Sequence, residues 1–497
     1  MTRRASGFEL MLPPRPEGVA SFHWVRNSLR AEILRGRVSP GSRLPPSRDF
    51  ARQYGLSRGT ILAALDELRA EGYLESRKGS GTYVSKTLPE HLLQFEDAAE
   101  EQANSTTQKG QTLSDYGKRV EPFTLYVKAE SRAFRTGLPA LDLFPTTLWA
   151  QVSARRLRSA STRSLLGCEA QGYLPLRQAV AQYAHTSRGV NCTAEQIVIV
   201  SGIQEGLDLT ARLLVNAGEK VLMEDPGYQG AHVIFRAAGA RVVSARLDEQ
   251  GAAPKESDLR GCKLFYVTPG HQFPMGMTMS LQRRLQLLVW AKKYDTAIFE
   301  DDYDSEFRFA GRPLPAMQGL DRGGKVIFCG SFNKVMFPSL RMGYLVLPPG
   351  LVEVFARTKA MTTRHHPLLD QAVLCDFIEQ GHLGRHLRRM RKTYEERLGI
   401  LLQCSRQCLS EFMEVAPIEA GLQTIGVFRR DISAEVVAQR ADKEGVDVVP
   451  LSRFCHTAKV PEGLQIGFAS VQEKEIPVGV MKLARVFERL KAEGVWR

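Results

Sequence analysis

Hydrophobic positions along the chain change rhythm twice, and the changes divide it into three zones. Over roughly residues 20–36, Val25, Leu29, Ile33 and Leu34 recur at helical spacing and predict a first helix. In VSPGSRLPPSRDFARQYG, Pro40-Gly41 marks a turn and Ser47 is placed to cap a short second helix. LSRGTILAALDELRAEGYL follows, with Ser57 as N-cap and Ile61, Leu65 and Leu68 as its inner stripe. SRKGSGTYV then reads as two short β segments around a glycine-rich tip. These elements delimit a first domain over 18–87.

Residues 88–130 lose this order. EDAAEEQANSTTQKGQ is polar, has no sustained period, and reads as a flexible linker with a short helix at its start. Across 131–497, the apolar runs QIVIV, KVLM, KLFYV, TAIFE and VIFCG alternate with amphipathic stretches. That alternation predicts an α/β domain with a mostly parallel sheet covered on both faces.

Composition narrows the setting. The chain has 497 residues, enough for more than one core. It carries no run of about eighteen uncharged apolar residues, and its first segment, MTRRASGFELMLPPRP, lacks an apolar run before a small-residue cleavage site. No membrane association and a cytoplasmic location are therefore expected. The eight cysteines are scattered without a CxxC pair, so neither a metal site nor a disulfide framework is predicted. Cys404 and Cys408, and likewise His382 and His386, are spaced to share one helix face, as reduced thiols and as a surface or interface pair.

The formal net charge of +13 is unevenly placed. Residues 1–87 hold 15 Lys+Arg against 8 Asp+Glu, a balance of +7. A polyanion partner is then the one to expect. Two short helices around a tight turn, followed by a β wing, make a winged helix-turn-helix. A helix entering the major groove of double-stranded DNA needs small residues at its start and donors for phosphates and base edges. Ser57, Arg58, Gly59 and Thr60 supply them, with Arg43 and Arg48 at the rim; Lys78, Gly79, Ser80 and Gly81 let the wing backbone approach the sugar-phosphate chain. From SPGSRLPP through GSGTYV this stretch resembles the GntR winged-helix family. The resemblance implies that Arg48, Ser57, Arg58, Thr60 and Gly79 lie at DNA-contacting positions. Leu62 departs from it, because some members carry a contacting arginine there.

The third zone carries the pieces of a pyridoxal phosphate (PLP) site. Such a site needs a Schiff-base lysine, an acid against the pyridine nitrogen, amides and a cation for phosphate, and an aromatic cover. VSGIQEGLDLTARLL offers the amides of Gly202, Ile203 and Gln204, and EDPGYQG offers Tyr228 as the cover. AIFEDDYDSEFRF places Asp301 at the end of a buried strand, with Tyr303 near the ring oxygen. SFNKVMFPSLRMGYLV supplies Lys334, with Ser331 and Arg341 for phosphate. TPGHQFPMG has Phe273-Pro274 where many aminotransferases have Asn-Pro, leaving His271 or Gln272 as ring-hydroxyl partner, or as mere strand caps.

EDPGYQG, TPGHQFP, EDDYDSEFRF and SFNKVMFPSLRMGY, in that order, resemble the MocR subgroup, which joins a GntR-type domain to a fold-type I aminotransferase-like domain. The resemblance implies a PLP-dependent regulator forming a head-to-tail homodimer with the site near the dimer interface. Aminotransferases hold the substrate α-carboxylate with an arginine, and PEGLQIGFASVQ puts Gln465 at that position. Three readings follow: a regulator sensing an amine or amino acid through an aldimine with PLP, a regulator sensing PLP itself, or a functional aminotransferase with an accessory DNA-binding domain. Gln465 limits the last to residual or half-transaminase activity.

Overall fold

Ser57 shows how local chemistry starts the first unit, Met1–Thr112. Its extended backbone stops the chain short of a helix, and its hydroxyl accepts the Thr60 amide at 3.1 Å, opening α3 (Arg58–Ala70). Before it come α1 (Ser21–Leu34) and α2 (Ser47–Tyr54), the latter closed by Gly55 in the left-handed region. Strands β1 (Leu74–Arg77) and β2 (Gly81–Val84) pair antiparallel as the wing. Val25, Leu29, Phe50, Ile61, Leu65 and Leu68 are buried together, as the helical spacing requires, while Leu34 faces solvent. Ser47 does not cap: Pro46 holds the cap position and Ser47 is the first helical residue. Leu10, Leu12 and Leu88 also join this core, so it draws on residues at both ends of the 18–87 stretch.

The computed structural model describes residues 10–77, 81–88, 112–122, 132–311 and 314–495. Most of the segment read as a linker lies outside them. Within it, α4 (Asp115–Arg119) belongs to the second unit, Leu113–Arg497, where Arg119 Nε donates to the Ala237 carbonyl at 3.1 Å.

That second unit is built on strands β3 (Ile197–Val200), β4 (Lys220–Glu224), β5 (Arg241–Ala245), a small hairpin β6 (Leu247–Asp248) and β7 (Gly251–Ala252), then β8 (Cys262–Val267), β9 (Ala297–Asp302), β10 (Val326–Ser331) and β11 (Gly343–Val346). Seven of them form a sheet in the order β3-β11-β10-β9-β8-β4-β5. It is parallel except for β11, which runs antiparallel to both neighbours. The continuous apolar runs are buried on both faces, the reason they do not alternate. A second, antiparallel sheet follows, β12 (Met413–Val415), β13 (Gln423–Phe428), β14 (Val449–Pro450) and β15 (Gly463–Gly467), in the order β12-β13-β15-β14. The helix His382–Cys408 precedes it; His386 is buried there against the Val335 carbonyl and His382 is not. Among the described residues no helix is long and apolar enough to cross a membrane.

Replacing Ser57 with alanine removes the cap of α3 and should destabilise the first unit by about 1 kcal/mol. Urea denaturation checks this; an unchanged midpoint would contradict the capping role.

Candidate functional sites

The first unit divides its arginines by partner. Arg26 pairs with Glu67, Arg30 with Glu71, Arg35 and Arg37 with Glu32, and Arg69 with Asp66. Arg43, Arg48 and Arg58, all exposed, make no ion pair among the described residues. Arg58 opens α3, and its Nε donates to Ser47 Oγ at 3.3 Å, at the start of α2. Arg43 sits on the wing rather than at the helix rim. Its backbone bridges Tyr83, and Leu44 N donates to the Thr82 carbonyl at 2.9 Å, adding an edge to the ribbon. Ser57 and Gly59 are exposed and Thr60 partly so; Leu62 is also exposed, at 37%. Lys78, Gly79 and Ser80, the expected wing tip, lie outside the described residues.

In the second unit, five strands of the large sheet end at one edge, and each hands the chain to a site loop. β3 leads to Gly202, β4 to Tyr228, β8 to His271, β9 to Asp301 and Tyr303, and β10 to Ser331 and Lys334. Because β11 is antiparallel, its beginning lies at that same edge and delivers Arg341 there. The helix Ile203–Leu214 starts at Gly202, whose φ of +125° suits glycine alone. A Cβ on Gly202 would lie 2.8 Å from Asn333 Nδ2 and about 4 Å from both terminal nitrogens of Arg341, so the guanidinium lies beside the open amides of Ile203 and Gln204. Tyr228 is fixed by Gln204 Nε2, which donates to its hydroxyl at 3.0 Å, and by an edge contact with Phe273.

Asp301 is the electrostatic centre. It is buried, and its one hydrogen-bond donor among the described residues is Tyr266, whose hydroxyl lies 2.7 Å from Oδ2. Burial, with Asp302 and Asp304 nearby, pushes its carboxyl up to about 7 despite that bond. Burial lowers the Lys334 ammonium, with Asp304 and Asp301 pulling the other way. Lys334 Nζ donates to the Gly137 carbonyl at 2.7 Å, and a Cβ on Gly137 would come within 2.9 Å of that nitrogen.

His271 and Gln272 separate clearly. Gln272 organises its own turn, donating to the Pro226 carbonyl at 3.0 Å and accepting from the Met275 amide. His271 Nδ1 lies 2.9 Å from Asp304 and 3.1 Å from the Tyr303 hydroxyl, while its buried Nε2 has no partner. Ser331 Oγ accepts from the Asn333 amide at 3.3 Å. Thus Gly202, Ile203, Gln204, Tyr228, His271, Asp301, Tyr303, Ser331, Lys334 and Arg341 gather at one sheet edge. Residues not foreseen join them: Tyr266, Asn333, Asp304, Gly137 and Gln423. Tyr266 and Asn333 lie within motifs already singled out; Gly137 and Gln423 carry no such signal.

Known proteins align with both units. Residues 24–84 match the bacterial regulatory proteins of the gntR family, and residues 140–483 match aminotransferase class I and II. The chain belongs to the aminotransferase class I and II family and, with its gntR domain, to the MocR subfamily of GntR regulators. It is 37% identical to the probable rhizopine catabolism regulatory protein MocR of Rhizobium meliloti, over 98% of this chain and 97% of that one. It is 30% identical to the HTH-type transcriptional regulator TauR of Rhodobacter capsulatus, over 95% and 97%. The α-aminoadipate aminotransferase LysN of Thermus thermophilus, solved with N-(5'-phosphopyridoxyl)-L-leucine, superposes with a TM-score of 0.70 at 28% identity, over 77% of this chain and 98% of that one. The fold is thus a winged helix-turn-helix joined to a fold-type I aminotransferase domain, and the cofactor of that class is pyridoxal phosphate.

A carboxyl whose folded pKa exceeds its unfolded value binds its proton more tightly when folded, so stability falls as pH rises between the two. For Asp301 that window runs from about 4 to about 7. Apo protein should lose stability across it, and Asp301→Asn should lose less. Thermal melts at stepped pH check this; parallel curves for the two proteins would contradict it.

Proposed function

We propose that the protein is a transcription regulator that binds operator DNA as a dimer and whose aminotransferase-like unit holds pyridoxal phosphate, responding to the cofactor or to an amine or amino acid that condenses with it. One observation carries the ligand half of this reading. Asp301, a buried carboxylate with a phenol as its hydrogen-bond donor, ends the strand next to the one that delivers Lys334. Such a carboxyl fits a ring N–H, which would compensate its lost hydration.

Bound pyridoxal phosphate supplies an electron-poor ring and an aldehyde that captures primary amines. The chain's own groups do the rest. Lys334 would be the amine that holds the aldehyde, and its lowered proton affinity increases the neutral, nucleophilic fraction. The amides of Gly202, Ile203 and Gln204, together with Ser331 and Arg341, form the phosphate seat at a helix N-terminus. Tyr228, fixed by Gln204, would cover the ring, and Tyr303, supported by His271, would serve the ring oxygen. The Gly137 carbonyl accepts from Lys334 Nζ and so holds the amine in place.

The DNA half rests on the unpaired arginines. Arg48 and Arg58 flank the start of α3 and Arg43 the wing, so their charge is available to phosphates and base edges. Signal transmission requires that the ligand bind one arrangement of the dimer better than another. A turnover reading draws on the presence of Lys334, Asp301 and Tyr303 together; Gln465, in place of a guanidinium, weighs against it.

Lys334→Ala should abolish the visible absorption band of the lysine-linked cofactor; a persistent band would remove Lys334 from this role. Arg58→Ala should weaken operator binding by roughly 10- to 100-fold, as one lost base-edge or phosphate contact does, and leave cofactor uptake unchanged. Fluorescence anisotropy on the DNA upstream of the gene, with apo protein, with cofactor, and with cofactor plus amines, tests the whole reading. DNA affinity indifferent to every ligand would refute the sensor.

A further inference from the structure

Two buried glutamines project from one face of the small sheet, one of them beside the lysine, and each has an amide atom without a partner among the described residues. Gln423 on β13 is 3% exposed and Gln465 on β15 is 1% exposed. Gln465 is registered opposite Ile425, and Gln423 opposite Gly467, so both glutamines project from the same face of the sheet. That face looks onto the segment 135–137: a Cβ on Gly467 would run into the Arg135 carbonyl. A Cβ on Gly137 would lie 2.9 Å from Lys334 Nζ and 4.0 Å from Gln423 Oε1, which places the amide close to the lysine. Among the described residues, Gln423 Oε1 and Gln465 Nε2 are buried without a hydrogen-bond partner.

We propose that this pair is the recognition element for the effector, and that it selects a hydroxylated amine, an amino alcohol or amino sugar, over an α-amino acid. The inference rests on the cofactor-binding reading above and names its ligand class. A carboxylate only accepts hydrogen bonds. Placed here it would have only neutral amides, and no guanidinium, to meet its charge. A hydroxyl both donates and accepts, so it suits a neutral amide in either orientation. The nearby guanidiniums are committed elsewhere. Arg135 Nε is bonded to Asp447 at 2.9 Å, and Arg341 stands beside Gly202. Sites built to hydrogen-bond a hydroxyl reject analogues that lack it far more strongly than apolar pockets reject a methylene.

Serinol and L-serine share a skeleton and differ in one CH2OH for a carboxylate, which makes them the probe pair. The full-length, cofactor-loaded protein is titrated with each, read by the cofactor's visible absorbance and by calorimetry. Serinol should half-saturate at a concentration at least tenfold below L-serine. Gln465→Arg should move the ratio at least tenfold toward L-serine. Gln423→Leu, a neutral change of similar size, should cost serinol at least tenfold and L-serine little. L-serine binding as well as serinol to the unaltered protein overturns the proposal, as does a ratio that neither substitution moves. A cofactor band that neither compound perturbs overturns it alone, leaving the cofactor reading standing. Absence of any band in the unaltered protein overturns both.

Discussion

A carboxylate held out of water needs compensation, and the second unit is organised around the one that has least of it. Asp301 ends the fourth strand of a seven-stranded sheet, deep enough that its proton affinity rises by about three powers of ten. The neighbouring strand on one side sends up the Tyr266 hydroxyl, and the neighbour on the other side leads to Lys334. Two buried acids beside it on the same strand have their own partners. Glu300 caps the helix Met317–Leu320 through the amides of Met317 and Gln318, and Asp302 is paired with Arg188. Asp301 is the acid of that strand that stands where a positively polarised ring would meet it.

Sheet direction explains how so many separate segments reach that place. Parallel strands bring every following loop to the same edge, which collects Gly202, Tyr228, His271, Asp301 and Lys334. A cation needed at that edge but encoded after Lys334 cannot arrive on another short parallel connection. The reversal of β11 solves this, returning Arg341 to the edge within seven residues of the lysine. Its left-handed backbone, φ +50°, is the local cost of so tight a return.

The two units use charge in opposite ways. At the sheet edge of the second, Asp301, Asp304 and His271 are buried and Lys334 is partly buried, so that small changes in occupancy alter local balance strongly. In the first, arginines on the body of the helices are tied to acids, and those around α3 and the wing are left to solvent. Exposed, unpaired charge attracts a polyanion over a distance and is weakened by salt. The proposed ligand chemistry and the proposed DNA attraction thus draw on separate residues in separate units.

Much of this was legible in the chain itself, for a local reason. Helix caps, turns and strand ends are set by neighbours in sequence, so Ser57, the wing strands, Asp301 and Lys334 could be placed from short motifs. Errors were local as well: Ser47 has a capping residue's chemistry, but Pro46 already occupies the position and the hydroxyl turns to Arg58 instead. Tertiary structure alone decided the rest. Gly137 and Gln423 are separated by 286 residues, and no pattern of local hydrophobicity distinguishes them. They meet because the antiparallel sheet sets its register against the segment 135–137, and that segment lies over Lys334. Sequence spacing records which groups can act; which of them come together is settled only when long-range strand pairing excludes water.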